Sequence, residues 1–249
     1  MTVVAVPATL PRPELVLTDL PDTSPLSAEE AADLYAAMFK DVVRAIDASG
    51  GEALVNYRTA ADLPDRYDAD PEVELRTLAA EAVDDVDDIR FEVQVGSNRA
   101  ARAGNTISHL LNEEGVRSAA IVDPAAPLLS RAHIDSAAMK LRTNELVLGP
   151  ASSGRVYFAG FTEPIDFEDV YRTPALETFS TRGSDAGHDI EFSESLPLVG
   201  DGDDLLTLRS RIRSRVTAQR VVPKYTTEHL DELGLYVTEE DGTATLTRE

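Results

Sequence analysis

Short apolar, β-branched runs alternate along this chain with segments whose apolar residues recur at helical spacing, the pattern of an α/β domain. Thr2 to Ala5 opens as a strand and is stopped by Pro7, Pro11 and Pro13. Ser27 with Glu30 forms a capping box, after which Ala31, Leu34, Met38, Val42 and Ile46 mark one buried stripe of a long helix ending before Gly50-Gly51. Glu52 to Tyr57 is the next strand, and Asp70-Pro71 starts a helix running to about Val83. Phe91, Val93 and Val95 alternate as a strand with one face to the core. Ile107, Leu110 and Leu111 then supply a helix closed by Gly115.

The stretch from Arg117 to Phe161 organises the rest. Ala119 to Val122 is an apolar run ending at Asp123, where Pro124 and Pro127 stop it. Ser130 is a good N-cap, and Ile134, Ala137, Ala138 and Leu141 then fall on one helical face. Glu145 to Leu148 is a second strand, Gly149 to Gly154 a phosphate-sized loop, and Val156 to Phe161 a third strand. The order predicts one mostly parallel sheet, covered by helices on both faces in three layers, with Asp123 and Gly154 at the same end. Beyond it, short helical turns fall near Glu168 to Val170 and Ala175 to Phe179, Gly183 to Asp189 reads as a flexible polar loop, and Ile190 and Phe192 mark an edge strand. From Leu205 a helix is expected to carry Leu208, Ile212 and Val216 inward and Arg209, Arg211, Arg213 and Arg215 outward.

After Arg220 the character changes, dividing the chain into an α/β domain over 1–220 and an appendage over 221–249. Glu228 to Leu233 is a short helix capped by Gly234, and Leu235 to Thr238 pairs with Thr243 to Thr247 in a hairpin turning at Asp241-Gly242. Acidic Glu239, Glu240 and Asp241 at its tip would repel DNA. The appendage therefore reads as a docking or dimerisation element, and a homo-oligomer is among the expected partners.

Charge sharpens this picture. A formal charge of -22, with Asp+Glu 45 against Lys+Arg 23, excludes a nucleic-acid backbone or an anionic membrane as partner. Lysine occurs only at positions 40, 140 and 224, and an acidic surface poor in lysine suits concentrated salt, where the Debye length falls to about 3 Å. Cysteine is absent, which removes disulfides, thiolate nucleophiles and Cys-based zinc sites. No apolar run approaches the ~20 residues that span a bilayer and no basic leader opens the chain, so a cytoplasmic protein is expected. Asp84, Asp85, Asp87 and Asp88 read as a solvated acidic surface, and His188 with Asp185 and Asp189 as a hydrated loop. No P-loop, G-x-G-x-x-G, G-x-S-x-G or HExxH pattern occurs.

IVDPAAPLL, followed a helix later by VLGPASSGRVYFAGF, resembles the signature of a family of small GT-A-like transferases, a domain of unknown function taken to move glycosyl or nucleotidyl groups. There the strand ends like GTDSP and the later loop reads like GPAEDGGYYLIGL. Gly149, Pro150, Ala151, Gly154, Tyr157 and Gly160 match the second pattern. AADLYAAMFKDVV resembles the family's first helix, and LPLVGDGDDLLTL its closing acidic segment DVDTPEDL. The departures are Ala125 and Ser153 at the two motif aspartates, Arg155 at a loop glycine, and Asp19 where a basic residue of KAPVPGRVKTRL stands, leaving Arg12 as the loop's cation.

The resemblance implies a GT-A or nucleotide-diphospho-sugar transferase-like fold and a site between the turn after Asp123, the loop 152–155 and the acidic turn 201–203. Asp123 and Arg155 take the catalytic places. Ser97, Asn98, Ser152, Ser153, Gly154 and Arg12 are expected to bind ligand, and Asp123, Asp201 and Asp203 are the candidate magnesium ligands. Each lost electrostatic contact in a closed site is worth about 3 kcal/mol, so three would slow the reaction by about six decades. The function implied is nucleotide-sugar or nucleotidyl transfer through a diverged site, with a nucleotide or phosphorylated small molecule as partner. A non-catalytic ligand- or partner-binding protein on the same fold is the alternative.

The charge balance yields a first prediction: thermal unfolding followed from low to multimolar KCl should show a melting temperature that rises with salt. A flat or falling curve would contradict it.

Overall fold

The computed structural model describes residues 2–64, 66–67, 69–240 and 242–248. Strand β1 (Thr2–Ala8) is followed by the short helix α1 (Leu20–Thr23), the long α2 (Ala28–Asp47) and β2 (Glu52–Tyr57). Next come α3 (Pro71–Ala80), β3 (Arg90–Val93), α4 (Arg99–Ser108), β4 (Ser118–Val122) and α5 (Arg131–Lys140). Strands β5 (Leu146–Pro150) and β6 (Val156–Phe161), helix α6 (Ala175–Asp185), β7 (Ile190–Phe192) and α7 (Gly202–Thr217) complete the main body. Helix α8 (Lys224–Glu232) and the hairpin β8 (Leu235–Glu240) with β9 (Thr243–Arg248) close the chain.

Seven strands form one sheet in the order β3-β2-β1-β4-β6-β5-β7. Among the described residues β6 is its antiparallel member, pairing with β4 on one side and β5 on the other; the remaining neighbours run parallel. The mostly parallel sheet with helices on both faces is the predicted fold. Alternation along β1 shows why: Val4, Val6 and Ala8 enter one core with α2, α5 and α7, while Val3 and Ala5 enter a second. That second core holds Ile107 of α4 and Phe179 of α6. Ser27 caps α2, with the Glu30 carboxylate accepting from the Ser27 N–H at 2.9 Å. Among the described residues no helix is long and apolar enough to cross a membrane.

Four local expectations are corrected. Val93 and Val95 are exposed, because β3 is the sheet edge and only Phe91 packs against the core. Val216 is exposed, whereas Arg209 is buried, its Nε donating to the Leu235 carbonyl at 2.7 Å and its guanidinium pairing with Asp231 at 2.7 Å. Helicity said which α7 residues share a face, but not that β8 would cover the neighbouring one. The segment read as a polar loop from Gly183 is helical to Asp185, since the missing Cβ of Gly183 lets α6 approach Leu146 of β5. His188 is not hydrated: its side chain is 6% exposed, and its Nε2 lies 3.8 Å from Glu163. Asp241, placed at the hairpin turn from sequence, lies outside the described residues.

The C-terminal helix is docked by one buried carboxylate. Asp41 on α2 accepts from the Tyr225 and Thr226 N–H groups at 3.1 and 2.7 Å, satisfying first-turn donors of α8 that would otherwise be orphaned. Leu230 and Leu235 join the same core as α2. Burial raises the pKa of Asp41, partly offset by the Thr226 and Tyr225 amides. Asp41→Ala should therefore destabilise the chain by about 1–3 kcal/mol in denaturant titration, and speed hydrogen exchange over 224–248. The sign with pH follows from the raised value. The native state holds this proton longer than the unfolded one, so stability relative to Asp41→Asn should fall as pH rises from about 3.9 through the raised pKa. An unchanged difference across that window would refute the assignment.

Candidate functional site

Strand order reverses direction between β1 and β4, and parallel α/β sheets open a crevice at such a point, beyond the strand C-termini. A cleft of about 430 Å³ lies there. Ala8 and Thr9 leave β1, Asn56 and Arg58 leave β2, Gln94 follows β3, and Asp123 ends β4. Helix α4 forms one wall with Arg99, Arg102, Ala103 and Thr106, whose spacing puts all four on one helical face.

Asp123 is fixed from three sides. Its N–H donates to the Tyr157 carbonyl of β6 at 2.9 Å, its Oδ1 accepts from the Ala125 N–H at 2.9 Å, and its Oδ2 accepts from Arg99 at 2.6 Å. The Asp-Pro pair makes the turn, and the side chain folds back on its own backbone as short acids do. The Arg99 guanidinium also stacks over the Tyr171 ring, 4.1 Å from its centre. Arg58 rests on the 59–62 turn through the Asp62 carbonyl, leaving its Nε buried and without a hydrogen-bond partner. Thr9 Oγ1 is buried and unpartnered as well. Partial burial, then the nearby Arg58 and Arg99 charges, hold Arg102 below the ordinary arginine pKa.

A buried amide network sets the floor. Gln94 Nε2 donates to the Ala8 and Asn56 carbonyls at 3.2 and 2.6 Å, which fixes the amide orientation and leaves Oε1 as an acceptor. Thr106 donates to Asn56 Oδ1 at 3.0 Å, and Asn56 Nδ2 to the Glu92 carbonyl at 3.2 Å.

Of the residues expected from sequence, Asp123 stands in this cleft, with Ala125 and Asp19 beside it. The others are held elsewhere. Arg155 donates to Asp204 Oδ1 at 2.6 Å and to Ser152 Oγ at 2.7 Å, while the Gly200 N–H donates to the other Asp204 oxygen at 2.9 Å. Ser152, Gly154 and Arg155 thus belong to a closed ring joining the loop to the start of α7, and Ser153 is exposed at φ +58°. Asp201 caps α7, accepting from the Asp204 N–H at 3.0 Å, and Asp203 is exposed. Asn98 caps α4, Ser97 is exposed, and Arg12 pairs with Glu74 at 2.5 Å. Sequence reasoning missed Arg58, Arg99, Arg102 and Gln94. The signal available was a basic i, i+3 pair opening the helix after a strand, and a cation directly past the end of β2.

A second cluster brings Glu92, His109 and Glu114 donor atoms within 4.8 Å of one another. Arg90 already bridges Glu92 and Glu114, and the group lies at the β3 edge away from the cleft walls.

The fold is that of the nucleotide-diphospho-sugar transferases, as a structural superposition shows. A protein of Desulfovibrio desulfuricans G20, provisionally described as a nucleotide-diphospho-sugar transferase, superposes with a TM-score of 0.73 at 16% identity, covering 93% of this chain and 95% of the other. A cytidylyltransferase of Leptospira borgpetersenii serovar Hardjo-bovis superposes with a TM-score of 0.50 at 9% identity, over 93% and 94% of the two chains. At these identities the likeness is one of fold. No protein-family model matches the chain, and no curated protein matches it in sequence.

Arg155 offers the sharpest test of this geometry. Arg155→Met strips a partner from the buried Asp204, so it should cost about 2 kcal/mol or more in denaturant titration while leaving nucleotide binding unchanged. Loss of binding without loss of stability would return Arg155 to the site.

Proposed function

We propose that this chain binds a nucleotide or nucleotide-sugar donor in the cleft between β1 and β4 and transfers its nucleotidyl or glycosyl group. One observation carries the reading: two buried polar atoms without partners, Thr9 Oγ1 and Arg58 Nε, belong to side chains lining a cleft that gathers three guanidiniums in a chain of charge -22. Buried polar groups left unpaired cost stability, and a polar anionic ligand would satisfy them. Fold and position support the same reading, since the cleft lies at the reversal point where such sheets hold ligands. The fixed Gln94 Oε1 can accept from an amino or hydroxyl group of the ligand, and Arg99 and Arg102 can donate to phosphate oxygens. A cytoplasmic setting belongs to the same reading.

A non-catalytic binder on the same fold is the second reading. The Arg99 contact favours it, because that ion pair occupies the carboxylate best placed to act on a substrate.

Calorimetric titration with CTP, GTP, ATP, UTP and their sugar conjugates in multimolar KCl should find a preferred nucleotide at micromolar to millimolar affinity. Pyrophosphate or nucleotide release in the presence of phosphorylated sugars should then separate the readings: turnover supports the transferase, and binding without turnover supports the binder. Absence of any nucleotide binding would overturn both.

A further inference from the structure

The strongest unused feature of the cleft is its charge composition. Three guanidiniums, Arg58, Arg99 and Arg102, line the cleft beside two carboxylates, Asp19 and Asp123, with the Asp62 carboxylate close enough to act on Arg58 and Arg102, so guanidinium is concentrated here although the chain is strongly acidic. Elsewhere on the chain Arg12, Arg66, Arg76 and Arg182 are among the arginines drawn into ion pairs with surplus carboxylates. Arg58 and Arg102 make no carboxylate ion pair among the described residues; each donates to backbone carbonyls.

A divalent ion would need carboxylate oxygens that are free to turn toward it, and magnesium in particular asks for near-octahedral oxygen geometry. The cleft offers one carboxylate outside any ion pair among the described residues, Asp19, whose Oδ1 accepts from Thr18 at 3.3 Å, and a single such group is a poor donor set. Both Asp123 oxygens are engaged, by Arg99 and by the Ala125 amide. Asp204 has Arg155 and Ser152 on one oxygen and the Gly200 and Asp201 amides on the other, while Asp201 caps α7. Ala125 presents a methyl group where a second carboxylate would be useful.

Resting on the nucleotide reading above, we propose that this cleft meets the phosphate charge of its ligand with Arg58, Arg99 and Arg102 rather than with a divalent cation. Guanidinium forks match the spacing of phosphate oxygens and carry a full charge at any working pH. Arg99 and Arg102 sit a helical turn apart and can present donors together, while Arg58 lines the cleft from the end of β2. Crowding of like charges is relieved when an anion enters, so binding recovers a repulsion that the free protein carries.

The test uses the full chain in multimolar KCl, titrated with inorganic pyrophosphate and with the four nucleoside triphosphates, in EDTA and in excess magnesium. Affinity in EDTA is expected to lie within about threefold of that in magnesium. Arg102→Met should weaken binding about ten- to hundredfold under both conditions, the range for one lost hydrogen bond to a charged group. Arg58→Met serves as the second variant if circular dichroism shows Arg102→Met unfolded, and it should weaken binding in the same range. Binding only in magnesium, or affinity unmoved by either folded variant, overturns the proposal. Metal-free, arginine-dependent pyrophosphate binding without any nucleotide binding would uphold it and remove the nucleotide reading. Nucleotide binding that requires magnesium would do the reverse.

Discussion

Burial of β6 on both faces is the constraint from which the site follows. All six of its residues are buried and it is hydrogen-bonded on both edges, so every neighbour must leave room for it. A Cβ on Gly149 would lie 2.6 Å from the Tyr157 ring, and one on Gly160 would lie 2.9 Å from Leu141. The glycines that match the transferase-like loop are therefore spacers for packing in this molecule. Their service to the cleft is indirect: they seat Tyr157, whose carbonyl holds the Asp123 amide and so fixes the end of β4.

Salt changes what an arginine-lined cleft can do. In dilute buffer the charge of -22 would repel an anionic ligand at long range, and three arginines would not reverse that field. At about 1 M salt the Debye length is about 3 Å, so both the repulsion and any steering vanish beyond contact distance. Recognition must then come from hydrogen bonds made at contact. Planar guanidiniums held against Tyr171, the 59–62 turn and the Gly96 carbonyl ahead of α4 provide such bonds with little further loss of side-chain freedom.

Periodicity revealed the elements well where both flanks were punctuated. The strands Glu52–Tyr57 and Val156–Phe161 and the start of α2 at the Ser27–Glu30 box agree with the sequence reading residue for residue. It failed where burial depended on a distant neighbour. Nothing local says that β8 covers Arg209 and leaves Val216 bare, or that β3 is an edge. The end of β4 was legible at Asp123, because an apolar run ending in Asp-Pro is a local signal of a strand end. The arginines were not, since Arg58 and the α4 pair lie 41 positions or more apart in sequence and converge only through the parallel pairing of β1, β2 and β4. Arg155, by contrast, looked free in sequence because its partner Asp204 is 49 residues away.

The Arg99–Asp123 contact decides how Asp123 can meet a ligand in the cleft. Asp123 is 15% exposed and Arg99 is 52% exposed, so a ligand can reach the guanidinium while the carboxylate stays largely covered. A phosphate competing for Arg99 would draw the guanidinium away from Asp123. Asp123 would keep its Ala125 amide and its anchored backbone, but it would then stand as a carboxylate near a polyanion, a position that repulsion penalises unless a donor approaches it. A sugar hydroxyl is such a donor. Opening of the pair is thus least costly for a ligand that carries an anion and a hydroxyl group together, which is the chemistry of a nucleotide sugar rather than of free phosphate.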